Sequence, residues 1–398
     1  MEGDGAFTFY RRWLRLVGVW PLEEKNPLQT LRYFTAALAM ASLFAHTLAE
    51  MYLSEAPISG MADLLVFCSS AFVALVKHMF MHLHGDKLAV TLKSYLNDWT
   101  DTKNEGFLKI MRSRVRMYRY QFLVYYSVGY VGTTLFFLRT VVLNAMRQRQ
   151  STDEDVELAL VCQASYLSKE SVAKYYVLIM TIQYLQSMCV STSGAGTDCF
   201  FLAMVFHLCG QLEILRKRWS DADAVRLLDG PGRRGRVVEL IERHRRLLDV
   251  GDKLEMSFNG IVVVQLLTSI VLICMSGFSV LVALQGSDYA TVLVSVNCIL
   301  FMITESFIYG YASDDLMEQS ENIVQAVYSF GWYDADPVTK KDIGFVIMRA
   351  RLPLRITAGK FFAVTRNTIV QLLKTTASIL SVMRITLTAT IAEELHTV

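Results

Sequence analysis

The sequence shows almost no excess of charge: 39 Lys and Arg stand against 37 Asp and Glu, a net charge of +2. That sum averages over compartments and identifies no partner; where the basic residues fall is what informs. The first thirty residues carry charges but no apolar core segment, so no cleavable signal peptide is expected and the first membrane span must serve as the insertion anchor. There is no glycine-rich phosphate loop, and the scattered Ser, His and Asp residues form no triad that sequence alone would reveal. Nothing therefore indicates an enzyme, a cofactor or a nucleic-acid-binding protein. His78, His82 and His84 come without a matching Cys or acidic cluster, which favours interfacial side chains over a metal site.

What is present in quantity is apolar. The chain is 53% hydrophobic with a mean hydropathy of +0.34, and its apolar residues come in long runs rather than narrow stripes. That places it among all-α polytopic membrane proteins. Runs near the roughly 20 residues that cross a bilayer cover 31–53, 61–83, 120–143, 172–196, 258–284, 288–311 and 366–390, seven transmembrane helices in all. A further run at 199–209 is about half the required length. It reads as a cytosolic continuation of the fourth span, whose apolar residues then need protein partners. The sequence Ser193-Gly194-Ala195-Gly196 is expected to bend that long helix as it leaves the membrane.

Orientation follows from Lys and Arg, which favour cytoplasmic loops. Arg11, Arg12, Arg15 and Lys25 precede the first span; Lys87 to Arg119 supply a basic loop after the second. The 216–253 connection, with Arg216, Lys217 and Arg218, and the stretch with Lys340, Lys341, Arg349, Arg351 and Arg355 are basic too. By contrast 54–60, 285–287 and 392–398 have no Lys or Arg. The N-terminus is thus expected in the cytoplasm and the C-terminus outside. Of seven cysteines, Cys68, Cys189, Cys274 and Cys298 fall in spans and Cys162 in an outer loop without a partner, so no structural disulfide is expected.

The last span differs from the others. At 100° per residue, Gln371, Thr375, Ser378, Val382, Ile385 and Ala389 share one side with Lys374 at its margin, while Leu373, Leu380, Met383 and Leu387 lie opposite. The first set suits a water path and the second suits lipid. Val382 sits where an apolar ring can close a pore by dewetting. Arg384, nearer the leucine side, reads as a snorkelling or intersubunit group, and Glu393 and Glu394, just past the helix, read either as carboxylates that draw cations to the mouth or as solvated tail residues.

Ligand sites in helix bundles are mostly apolar with a few polar groups. The outer halves of spans two, three, four and six supply such a set: Phe67 and Ala71; Gly132, Thr133, Phe136 and Phe137; Tyr176, Met180, Gln183 and Tyr184; Val296 and Asn297. Glycine beside aromatics leaves room for a flat volatile molecule, aromatic or heterocyclic, and methionine adapts to its shape. Glu305, within a span, should face the bundle or an inner vestibule because lipid would not solvate it.

The run SENIVQAVYSFGWYDADPVTKKD, with Glu321, Ala326, Tyr328, Trp332 and Tyr333, is followed by Met348, Pro353, Ala358, Gly359, Lys360 and Phe361 and then LLKTTASILSVMR. This ordered set resembles the insect odorant receptor family. The resemblance implies an odorant-gated, poorly selective cation channel in the plasma membrane of olfactory sensory neurons, a heterotetramer of tuning and co-receptor subunits. The loop between spans four and five is shorter than the co-receptor's, which points to a tuning, odorant-binding subunit. Implied roles are a cytosolic segment 1–30, a ligand-holding bundle 31–312, a cytosolic helical anchor region 313–362, a pore-lining helix 363–392 with gate positions at or near Val382 and Thr386, and an extracellular tail 393–398. Two alternatives stand beside it. A G-protein-coupled receptor has the opposite orientation, and the chain lacks Asp-Arg-Tyr in span three and Asn-Pro-x-x-Tyr in span seven. A gustatory-type ligand-gated subunit carries a last-helix signature that is missing here.

Overall fold

The computed structural model describes residues 2–53, 58–150, 158–224 and 231–397. Ten helices follow one another: α1 Glu2–Leu16, α2 Pro27–Leu53, α3 Ile58–Leu83, α4 Gly85–Asp101, α5 Glu105–Gln150, α6 Lys169–Ala224, α7 Pro231–Gln285, α8 Tyr289–Ser329, α9 Pro337–Ala350 and α10 Arg366–Thr397. A two-residue hairpin, β1 Thr357–Ala358 with β2 Phe362–Ala363, precedes α10. Among the described residues, α2, α3, α5, α6, α7 and α8 are long and apolar enough to cross a bilayer, and they carry the first six expected spans. The seventh, 366–390, coincides with α10.

Local chemistry sets the ends of several elements. Asp288 caps α8 by accepting from the Thr291 backbone at 3.1 Å. Asp336 caps α9 by accepting from the backbone of Val338 and Thr339 with Pro337 at the first helical position; hydrogen bonding with Thr339, through its side chain first and then its backbone, and from the Val338 amide holds the Asp336 carboxyl below its usual range. Gly18, at φ +75°, makes the turn from α1 to α2, where a side chain would meet the Tyr33 backbone at 2.6 Å.

The core divides along α6. Its inner part is buried all round: Phe200, Phe201, Ala203, Met204, Val205, Phe206, Leu208 and Cys209 have no exposed surface. These residues pack with Tyr10 and Leu14 of α1, Leu92 and Tyr95 of α4, Phe258 and Val262 of α7, Leu316 and Ile323 of α8 and Ile343 of α9. The expected need of 199–209 for protein partners is met by the surrounding helices, α5 with Phe122 and Tyr125 among them. The expected bend at Ser193–Gly196 is not there, and the one interruption of helical backbone in α6 is Tyr175. The glycines permit close packing instead, Gly196 with Leu14 and Tyr126 and Gly194 with Ala74.

The outer part holds a smaller cluster, with Leu160, Val161, Cys162 and Ala164 of the 158–168 loop packed over Phe67, Ala71, Phe137 and Met180. Helix side chains fasten that loop. Asn144 bonds both the carbonyl and amide of Ala159 at 2.8 and 3.0 Å, Gln183 bonds both of Cys162 at 2.7 and 3.3 Å, and the fully buried Glu50 accepts from the Ser165 amide and hydroxyl. Each pair satisfies backbone groups of a segment that has no helix or strand of its own to pair them.

Candidate functional site

A cavity of about 150 Å³ lies between α2, α3, α5, α6, α7 and α8. Its outer end is apolar and its inner end is not. Of the twelve expected ligand residues, Phe67, Gly132, Thr133, Phe136 and Asn297 line it. A side chain on Gly132 would run into the Asn297 carboxamide, so glycine is what keeps this end open. Thr133 bonds Ser191 at 3.0 Å, and Phe67 meets Phe136 edge-on at 5.0 Å.

The other seven lie outside the lining, in several places. Ala71, Phe137 and Met180 belong to the outer cluster beneath the 158–168 loop, and Phe137 meets Tyr184 edge-on at 5.0 Å. The Gln183 amide is taken up by Cys162, and the Tyr176 hydroxyl accepts from Asn144 at 2.8 Å. Val296 is exposed on the bundle surface.

The inner end is built on an ion cluster of which sequence reading singled out Glu305 alone. Lys77 of α3, Asp198 of α6 and Glu305 of α8 are each at most 3% exposed. The Lys77 ammonium sits 2.6 Å from Asp198 Oδ1 and 3.5 Å from Glu305 Oε1. Tyr309 donates to Asp198 at 2.5 Å, Tyr125 reaches Glu305 at 2.7 Å and Asp198 at 3.0 Å, and Gln265 donates to Glu305 at 2.7 Å. Glu305 thus faces the bundle, as expected of a carboxyl that lipid cannot solvate. The intramembrane positions of Lys77 and Glu305 were the available signal; their pairing was not, because 228 residues separate them.

The histidines are held by packing. His78 bonds Ser193 at 3.1 Å and stacks on Tyr33 at 4.8 Å, His82 stacks on the same ring at 4.1 Å, and His84 stacks on Phe80 at 4.0 Å.

α10 packs on α7 and α8 by one side. Ile369 and Thr376 are buried, and Leu372, Leu373, Leu380 and Met383 half-buried. Gly277 of α7 makes the seat for Leu380, since a side chain there would come within 2.6 Å of the leucine methyl. The leucine side therefore meets protein, not lipid, which corrects the expectation for Leu373, Leu380 and Met383. The opposite row, Gln371, Lys374, Thr375, Ser378, Val382, Ile385 and Thr386, is exposed in the single chain. Thr375, Ser378 and Thr386 return their hydroxyls to their own helix, to the carbonyls of Gln371, Lys374 and Val382. The side chains of Ala389, Leu387, Glu393 and Glu394 lie outside the described residues. At its foot, α10 is tied to α8 by Arg366 and Asp314 at 2.6 Å.

The cavity and α10 share α7 and α8. Gln265, Thr268 and Leu272 line the cavity on α7, while Leu266, Ser269 and Ile273 of the same helix face Ile369, Leu372 and Leu373.

A family model described as 7tm Odorant receptor matches residues 58–377. Odorant receptor 13a of Drosophila melanogaster is 25% identical over 231 residues, 52% of this chain and 53% of that one. Odorant receptor Or1 of Anopheles gambiae is 20% identical over 406 residues, 93% of each. The chain spans about half the length of the first of these relatives. In fold it is similar to the insect olfactory receptor OR5 of Machilis hrabei, solved in complex with eugenol. The TM-score is 0.80 at 14% identity, covering 96% of this chain and 99% of that one.

Proposed function

The chain belongs to the odorant receptor family and is a multi-pass membrane protein, and on that premise we propose that it is the odorant-binding subunit of a ligand-gated, non-selective cation channel, assembled with co-receptor subunits as a heterotetramer. The observation that carries the reading is α10, packed by its leucine side and bare along Gln371, Thr375, Ser378 and Val382. A polar row left uncovered by its own chain fits a surface that neighbouring subunits complete around water.

In this reading the N-terminus is cytoplasmic and the C-terminus extracellular, in the plasma membrane of olfactory sensory neurons. Residues 313–362 with the inner halves of α6 to α8 anchor the assembly. A small volatile ligand, aromatic or heterocyclic, enters the cavity; that OR5 was solved with eugenol, an aromatic molecule, supports this choice. Because α7 and α8 line the cavity and seat α10, a ligand that fits better when they are displaced shifts α10 and widens the ring at Val382 and Thr386. Only differential affinity for the open state can do this.

The test is current recorded from cells carrying this chain with the co-receptor, against a panel of volatiles. The reading predicts evoked cation current with both subunits, and Val382→Ser should raise basal current. A C-terminal tag that intact cells hide from antibody would refute the orientation. Unchanged gating in V382S would remove Val382 from the gate.

A further inference from the structure

Just beyond the outer end of the cavity lies an ion pair that ties three helices. Arg139 of α5 donates to Asp63 of α3 at 2.5 Å and to the Thr291 hydroxyl of α8 at 3.4 Å, and Thr291 in turn donates to Asp288 at the start of α8. Both members of the pair are largely buried, so water screens their attraction less than that of an exposed pair.

Helical spacing sets the pair against the cavity wall. Asp63 stands four residues before Phe67 on α3, and Arg139 three residues after Phe136 on α5, so on each helix the charged group and the ring share a face. Phe67 and Phe136 line the cavity and meet edge-on at 5.0 Å. The pair therefore joins α3 and α5 one turn beyond the rings that these helices present to each other. The guanidinium carbon also lies over the Phe136 ring, 5.4 Å from its centroid, within reach of a cation–ring attraction. Arg139 Nε is buried without a hydrogen-bond partner among the described residues. An unmet buried N–H costs stability, so the side chain takes its orientation from Asp63, Thr291 and the ring and not from satisfying all its donors.

We infer that Arg139 is a positioning residue for the ligand: tied to Asp63 and Thr291, it holds the Phe136 ring edge-on to Phe67 and so makes the cavity prefer an aromatic ring to a saturated ring of similar size. The inference rests on the cavity being the ligand site, as proposed above. A mobile apolar wall ranks two such rings by buried area alone, whereas a ring held in one pose offers an aromatic ligand an edge or face at the right angle. Contacts of that geometry strengthen association by roughly two- to twelvefold over burial alone. The volume, about 150 Å³, is of the order that accommodates a single benzene-sized ring.

The experiment titrates the purified full-length chain, in detergent or nanodiscs, with benzyl alcohol and with cyclohexylmethanol, and reads binding from thermal stabilisation. The ratio of the two dissociation constants is taken within each variant, so a loss of stability common to both titrations leaves it unmoved. The unmodified chain should bind benzyl alcohol about threefold more tightly or better. Phe136→Leu and Arg139→Met should each bring the ratio to about one. Asp63→Asn should do the same by releasing the tie, and serves if R139M does not fold; the two changes together should go no further than either alone. Arg218→Met is the control. It removes a comparable contact elsewhere in the fold, an ion pair with Glu239 and a place over the Phe107 ring at 5.3 Å, and should leave the ratio unchanged. No preference in the unmodified chain, a preference kept in both R139M and D63N, or one lost in R218M overturns the inference. If F136L abolishes the preference while R139M and D63N keep it, the cavity stands as the ligand site and the role of Arg139 alone falls. If F136L leaves both affinities as they were, the cavity itself is refuted and the inference with it.

Discussion

The two ends of α6 are made of similar residues and live in different solvents. On its outer part Val177, Leu178 and Leu185 stand exposed on the bundle surface, where lipid would meet them, whereas Phe200 to Cys209 on its inner part are enclosed by the surrounding helices. Hydropathy reads both as apolar. What separates them is which neighbours the fold brings, and that decides what each residue contributes: lipid solvates an aliphatic side chain about as well as protein does, but the enclosed part must be filled by matching shapes.

This contrast can be broken at its strongest point first. Phe201→Ala, in the enclosed part, should cost about 3–5 kcal/mol through lost contacts and a residual void, seen as a sharp fall in thermal midpoint and surface expression. A pH titration sharpens the same side. Burial, aided by the Arg349 charge, lowers the His244 pKa from 6.5 to about 4 in the inner part of α7. The folded state thus holds a neutral imidazole that the unfolded chain would protonate. Its contribution is full above pH 6.5 and is lost as pH falls toward 4, so His244→Gln should flatten the loss of stability across that window. At the α7–α10 seam, Gly277→Val should cost about 1–3 kcal/mol by overpacking and alter basal current, because the new methyls displace Leu380. The smallest effect belongs to the outer part: Leu178→Ala should stay within about 0.5 kcal/mol. A Leu178 effect as large as that of Phe201 would mean that the surface is not lipid-facing and that the contrast is false.

Sequence alone carried the spans, because a bilayer imposes a length that hydropathy measures directly, and it carried the split faces of α10, because the helical period is fixed. It also required partners for 199–209. It erred on the leucine side of α10, since periodicity distinguishes two faces without saying whether lipid or protein covers one. It erred at Ser193–Gly196 because glycine permits a bend and equally permits close approach, and the choice lay with Leu14 and Tyr126, distant in sequence. Five of the expected ligand residues fell on the cavity lining for a similar mixture of reasons. Aromatic and glycine-rich turns mark the interior of a bundle, but the roof and the chamber share that signature. The ion cluster was hidden because its meaning lies in the meeting of α3, α6 and α8, and each member alone is a single misplaced charge.

The fastening of the 158–168 loop has an evolutionary reading. Asn144 and Gln183 grip the main chain of Ala159 and Cys162, so the clasp is encoded on the helices and indifferent to most of what the segment spells. Such a lid can drift in sequence, changing the surface it presents while keeping its shape, for as long as two amides stay put.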